Sequence, residues 1–289
     1  MAGRRMNKPY SIKIFLPGGD PEGVRTIEKS NWSGAGLLFP RALMSIARRR
    51  SDLGRTGIYV LVGPPEESTL PRVYIGEGDP VVDRLDQHAF RKDFWTFCMA
   101  FTSKDSNLNK AHVQYLEARL VELAKHAKRC VLDNLQTPGQ PSLSESDAAD
   151  AEGFLQEMLL CFPVLGITVF AAPAGGTKAS ADLHLSARGV EAKGTETAEG
   201  FVVRAGSTVS KNETPSCHAY LRNLREALVA NGVLVGDGTG YKFAQDYSFD
   251  SPSTAAGVVL GRSQNGRVAW VDREGRTLKD IQEARTLTS

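Results

Sequence analysis

Five side chains in the middle of the chain carry groups that phosphodiester chemistry uses: Tyr59, Tyr74, Arg84, His88 and Glu117. Hydrolysis at phosphorus needs an activated water, a positive clamp for the crowded phosphoryl group and help for the leaving oxygen. Glu117 is an oxygen donor of the kind Mg²⁺ accepts, and since Mg²⁺ keeps most of its waters, one protein carboxylate can suffice. Arg84 stays charged, and its planar fork donates two parallel hydrogen bonds to a phosphate. His88, one helical turn later, could position or deprotonate the water, or steady the phosphate. Tyr59 and Tyr74 fall in neighbouring β-like runs, so both hydroxyls can reach one patch of a sheet face. A free phenol titrates at about 10, so a role in activating water needs a cation beside it. Each residue also has a plainer reading. A strand Tyr packs, a helical Arg is solvated, a helical His is structural, and a half-buried Glu pairs with an arginine.

The elements that must position these groups can be read from the pattern. Residues 57–62 (GIYVLV) and 72–76 (RVYIG) are β-like runs around a Pro- and Ser-rich segment, which predicts a hairpin with a long loop. Asp79-Pro80 predicts a helix start, with Asp79 as cap. In that helix Val81, Leu85 and Ala89 form one stripe and Arg84 and His88 another. Residues 94–102 (FWTFCMAFT) predict a buried strand. Residues 107–128 predict a helix with Leu116, Leu120, Leu123 and Ala127 on its apolar face. Glu117 sits at the edge of that face, with Val113, Leu120 and Val121 as its helical neighbours. A further helix is predicted over 144–162, opened by a capping box of Ser144 and Asp147.

The pair Gly57-Ile58-Tyr59 and Tyr74-Ile75-Gly76 resembles the signature of the GIY-YIG nuclease family. The later residues fit in order: Arg84 and His88 in the next helix, Glu117 in a further one, and Asn134 beyond it. The resemblance covers roughly residues 55–140. It departs from the family in the segment 60–73, which is longer than usual and is absorbed by an enlarged hairpin loop. The resemblance implies an α+β fold: a small antiparallel sheet of about three strands flanked by helices, plus a separate C-terminal α+β domain. It implies a metal-dependent endonuclease acting on DNA in repair, restriction or defence. Mg²⁺ (or Mn²⁺) would sit on Glu117 and the scissile phosphate on Arg84. Tyr59, with Tyr74 and His88, would prepare the water, and Asn134 would orient the substrate backbone. The alternative is a non-cleaving DNA- or protein-binding module on the same scaffold. An RNA target stays open, since the chemistry at phosphorus is the same.

Length and charge set the frame. The chain has 289 residues, 41% of them hydrophobic and 24% charged, which excludes collagen-like, coiled-coil and wholly disordered classes. The net charge of +2 hides a distribution: residues 1–56 carry +7, 57–135 carry −1, 136–182 carry −5 and 183–289 carry +1. The front segment includes Arg48, Arg49 and Arg50, a candidate DNA-binding group at the end of a predicted helix over 40–50. The expected organisation is a basic N-terminal extension over 1–54 (strand plus helix), a nuclease-like domain over 55–170, a linker over 171–182 and a C-terminal domain over 183–289. Cys98, Cys130, Cys161 and Cys217 form no CxxC pair, so four buried thiols in a reducing cytoplasm are expected. The uncharged run 158–177 is broken by Pro163 and Gly166. It predicts a helix end, a turn and a buried strand (LGITVF), with no membrane span.

The C-terminal part mixes signals. Residues 200–209 (GFVVRAGSTV) predict a strand, 216–231 a helix, and 251–261 a helix with Ser251 as cap and Pro252 in its first turn. Residues 265–275 predict a closing hairpin. The run 246–270 (DYSFDSPSTAAGVVLGRSQNGRVAW) resembles a module of unknown function that follows some bacterial GIY-YIG domains. By association that implies nucleic-acid targeting. Arg262, Arg267, Arg273 and Arg276 could line one face there, or be ordinary surface charge.

Overall fold

Every residue from Gly57 to Gly63 is buried. A strand without a polar alternation must be covered on both faces, and the first unit is built around that requirement. The computed structural model describes residues 9–65, 70–105, 107–136, 138–171, 181–187, 189–198, 200–238 and 240–287. Two units are distinguished, Met1–Pro64 with Pro71–Phe170, and Pro65–Leu70 with Ala171–Ser289.

In the first unit the strands are β1 (Ile12–Phe15), β2 (Arg25–Lys29), β3 (Gly34–Pro40), β4 (Gly57–Gly63), β5 (Arg72–Gly78), β6 (Phe97–Ser103) and β7 (Val131–Leu132). The helices are α1 (Met44–Ala47), α2 (Val81–Arg91), α3 (Lys110–Ala127) and α4 (Glu145–Val164). The strands form one sheet in the order β1-β2-β3-β6-β4-β5-β7, antiparallel except for the short β5–β7 pair. The expected three strands are its centre, β6-β4-β5. The expected separate extension over 1–54 is corrected, because β1, β2 and β3 continue the same sheet through β3–β6 pairing from Gly34↔Ser103 to Pro40↔Phe97. Gly34, Gly36 and the turn-rich 16–24 segment mask this strand pattern in the sequence.

Ile58, Val60, Val62, Val73, Ile75, Met99 and Phe101 point to one face and meet Leu116, Leu120 and Val121 of α3 and Phe154, Leu155 and Met158 of α4. Tyr59, Leu61, Cys98 and Ala100 point to the other and meet Ala47, Leu53, Val81, Leu85 and Trp95. Each such buried aliphatic side chain contributes about 1.5–3 kcal/mol of transfer free energy. The start of α4 follows the expected logic, and α3 carries a cap beyond those expected. Asn109 accepts from the His112 amide, and Ser144 from the Asp147 amide. In α2 the cap is Pro80, and Asp79 instead accepts a hydrogen bond from the Thr56 hydroxyl. The predicted strand LGITVF is also corrected: α4 runs to Val164, and Ile167, Val169 and Phe170 bury as a turn-rich cover on the α3–α4 face.

The second unit contains β8 (Asp182–Ala187), β9 (Val190–Thr197), β10 (Gly200–Val203), β11 (Thr208–Ser210), α5 (Ala219–Ala230), β12 (Leu234–Gly236), β13 (Gly240–Phe243), β14 (Tyr247–Phe249), α6 (Pro252–Leu260), α7 (Gly266–Ala269) and α8 (Leu278–Leu287). Its sheets are β14-β10-β9-β8 and β11-β13-β12. Its core gathers Phe201, Leu221, Leu228, Phe243, Val258, Val259 and Trp270. The cap of α6 is as expected, with Ser251 accepting from the Thr254 amide. The closing hairpin is instead the short helix α7, followed by a single bridge between Val271 and Thr277. Most of the expected linker, residues 172–180, lies outside the described residues. The chain is thus α+β in two units, and among the described residues no helix is long and apolar enough to cross a membrane.

Candidate functional site

Strand register brings the two tyrosines to one face. Tyr59 pairs with Gly76 and Leu61 with Tyr74, so Tyr59, Leu61, Tyr74 and Gly76 all point toward α2. The glycine of Tyr74-Ile75-Gly76 has a steric reason. A Cβ at Gly76 would lie 2.4 Å from Tyr59 Oη and 2.5 Å from its Cζ, so the tyrosine ring occupies the space above that residue. Gly57 is required in the same way, its Cβ position being 2.3 Å from the Phe101 carbonyl oxygen.

His88 completes an aromatic cluster. Its ring centroid is 4.7 Å from that of Tyr74 and 5.9 Å from that of Tyr59, and the two tyrosine rings are 6.3 Å apart. Tyr59 is fully buried and His88 is 8% exposed. Among the described residues, Tyr59 Oη and both His88 ring nitrogens are buried without a well-aligned hydrogen bond, Tyr59 Oη reaching only the Tyr74 phenol. Buried polar atoms are nearly always paired, and each orphan costs about 1–3 kcal/mol. Three in one cluster mark a place where the fold holds polar groups ready for something else.

The charges around the cluster set its protonation. Burial, and then the neighbouring Tyr74, push the Tyr59 phenol far above its ordinary value, with Arg84 opposing. Burial and the Glu117 charge raise Tyr74, again against Arg84. Burial, with Lys92, Arg84 and Arg91 nearby, lowers His88 to about 4, so it is a neutral imidazole at physiological pH. Burial and the Glu77 carboxylate raise Glu117 to about 7, while Arg84 and Lys110 pull it back. Arg84 and Glu117 therefore act on the same cluster, one from exposed α2 surface and the other from half-buried α3. Arg84 Nη1 donates to Gln87 Oε1 at 3.2 Å, leaving most of its fork open to solvent.

Asn134 is placed differently from the rest. Its side-chain oxygen accepts from the Ile75 amide at 3.0 Å, and its nitrogen donates to the Ile75 carbonyl at 2.8 Å. It therefore completes the β5 edge like one residue of a strand and fixes the backbone beside Tyr74. Arg48 and Arg50 are each paired, to Asp86 and Asp52 at 2.9 Å, so the expected basic group is largely neutralised; Arg49 is exposed. In the second unit Arg267, Arg273 and Arg276 are similarly engaged with Glu283, Asp182 and Asp272.

Four neighbours carry no motif signal of their own in the sequence. Glu77 follows the glycine directly and binds Lys110 Nζ through both oxygens at 2.6 Å. Lys92 lies 4.2 Å from the Tyr74 ring centroid and is hydrogen-bonded to Asp133, which also binds Arg72. Adjacency of Glu77 and Asp133 to motif residues was the available signal, but their partners lie 33 and 41 positions away. Among the described residues no three His, Cys, Asp or Glu side chains gather to hold a metal. With both Glu77 oxygens held by Lys110, the donor that remains is Glu117, and one carboxylate suits a hard cation that keeps most of its waters.

Residues 183–282 match the family described as Domain of unknown function (DUF4357). That match supports the expected C-terminal module and covers most of the second unit; no nuclease family matched the first unit. No curated protein and no solved structure matches the chain.

Proposed function

We propose that the first unit is a metal-dependent endonuclease that hydrolyses phosphodiester bonds in DNA. The observation that carries this reading is the clustering of Tyr59, Tyr74 and His88, with three buried polar atoms left without a well-aligned hydrogen bond, inside the electrostatic reach of Arg84 and Glu117. An incoming water or phosphate oxygen would give these atoms the hydrogen bonds they lack, next to an arginine and a carboxylate that phosphoryl chemistry also uses.

In this reading Arg84 binds the scissile phosphate through the free part of its fork. Glu117 would hold Mg²⁺ or Mn²⁺, which would supply Lewis acidity and a more acidic water. His88, neutral at physiological pH, offers a nitrogen lone pair to a proton released nearby. Tyr59 stays a neutral phenol and orients the water by hydrogen bonding, while Tyr74 flanks it. Asn134 acts as a positioning residue for the strand that carries Tyr74. The matched C-terminal domain would contribute to nucleic-acid targeting.

The test is Mg²⁺-dependent cleavage of supercoiled plasmid by the wild type, Arg84→Ala and Glu117→Ala. Cleavage lost in both variants supports the assignment. Equal cleavage in all three would trace the activity to a contaminant and remove it. Salt-sensitive DNA binding without cleavage across metals would identify the non-cleaving alternative.

A further inference from the structure

A cavity of about 480 Å³ in the first unit shares no lining residue with the tyrosine–histidine cluster. One wall is α4, where Asp147, Asp150 and Phe154 lie at helical spacing on one face. Trp32 lines the cavity too, its ring centroid 4.9 Å from that of Phe154. The remaining wall includes Asn107 and His112.

The charged groups that line this space are the Asp147 and Asp150 carboxylates, beside the neutral Ser33, Ser103 and Asn107. No lysine or arginine lines it. His112 is 8% exposed, and its Nδ1 contacts the Asn107 carbonyl at 2.9 Å. Its Nε2 is buried without a hydrogen bond, 3.6 Å from Asp147 Oδ1. Asp150 is exposed at the rim. Two carboxylates and an unpartnered histidine nitrogen therefore border an aromatic-walled space, which calls for a cation rich in donors. A planar guanidinium meets both demands: it stacks on an indole face and donates several hydrogen bonds in one plane.

We propose that this cavity is a binding site for a guanidinium group, borne either by a free guanidino compound or by an arginine side chain of a partner. The group lies against Trp32 and donates to Asp147 and Asp150. The proposal is independent of the nuclease reading.

The experiment is calorimetric titration of the full chain at low ionic strength with agmatine, Gly-Arg-Gly amide, butylamine and urea. Tryptophan emission of wild type and Trp32→Phe is followed in parallel. Saturable binding of a guanidinium probe is expected, at least tenfold tighter than butylamine, with no binding of urea. The emission change should vanish in Trp32→Phe. Asp147→Asn/Asp150→Asn should weaken binding at least tenfold. Asp150→Asn alone, which leaves the Ser144–Asp147 cap intact, should weaken it severalfold at unchanged melting temperature. Tighter binding of agmatine than of the tripeptide assigns the site to a free compound, and the reverse to an arginine side chain. No saturable binding by either, equal binding of butylamine or urea, or unchanged affinity in the double variant overturns the proposal.

Discussion

Replacing Tyr59 by Phe should make the first unit more stable while removing its activity. The ring is fully buried, and among the described residues its hydroxyl makes no well-aligned hydrogen bond, the Tyr74 phenol being the one group it reaches. An unsatisfied buried hydroxyl costs about 1–3 kcal/mol. Phenylalanine keeps the ring and deletes that cost. The vacated oxygen leaves a void of about 15 Å³, which takes back about 0.4 kcal/mol. The net expectation is a gain of about 0.6–2.6 kcal/mol, or a rise of about 1–10 °C in the melting temperature of a unit this size. Urea unfolding of wild type, Tyr59→Phe and Tyr74→Phe reads the difference. Tyr74 is only half-buried and its ring is held by Lys92 and His88, so its variant should show no comparable gain. Plasmid cleavage by Tyr59→Phe should fall at least about 100-fold if the hydroxyl orients the water. A loss of stability greater than about 0.5 kcal/mol would refute the reasoning, because it would mean the hydroxyl is well bonded in the folded protein.

Three further outcomes rest on the same geometry. Gly76→Ala forces a methyl to within 2.5 Å of the Tyr59 ring carbon, and should cost about 1–3 kcal/mol in urea unfolding and displace Tyr59. Asn134→Ala removes both hydrogen bonds to Ile75; it should cost about 1–3 kcal/mol and speed exchange of the Ile75 amide measured by NMR. The pH dependence follows from His88 and Asp133. His88 binds its proton at about 4 in the fold against 6.5 ordinarily, so between those values the unfolded chain holds more protons. Stability should therefore fall from pH 6.5 toward 4, by at most about 3 kcal/mol, and His88→Gln should flatten that slope. For Asp133, burial is outweighed by hydrogen bonds from Lys92 and Arg72, which hold it below the ordinary carboxylate value. Its contribution is present above that value and is lost only as the pH falls further, through its folded value.

The centre of the sheet was legible because β4, β5 and β6 are dense apolar runs, β4 with glycine at both ends and β5 with one at its last residue, and because α3 and α4 carry a 3.6-residue apolar period, with a readable cap at α4. The outer strands were not. β2 (Arg25–Lys29) has a single fully buried residue, Ile27, and β3 begins Gly-Ala-Gly, so neither reads as a strand until β6 supplies its partner. The run LGITVF has strand composition, yet tertiary burial against α3 and α4 satisfies it as an irregular segment. The site divides in the same way. Tyr59, Tyr74, Arg84, His88 and Glu117 were visible as types at motif spacing. The Lys110–Glu77 and Lys92–Asp133 pairs were not, because they depend on which helix end meets which strand. The neutralised Arg48 and Arg50 show why a run of like charge is a weak guide to binding: their counter-ions, Asp86 and Asp52, lie in a different helix and a following turn.

The most direct measurement is single-turnover cleavage of an end-labelled DNA duplex with Mg²⁺, comparing wild type with Glu117→Gln, alongside binding of the same duplex by both proteins. The account predicts that the wild type cuts, and that Glu117→Gln binds within about threefold of wild type but cuts at least about 100 times more slowly. Undiminished cutting by Glu117→Gln, or tight binding with no cutting by the wild type under any divalent cation, would contradict it.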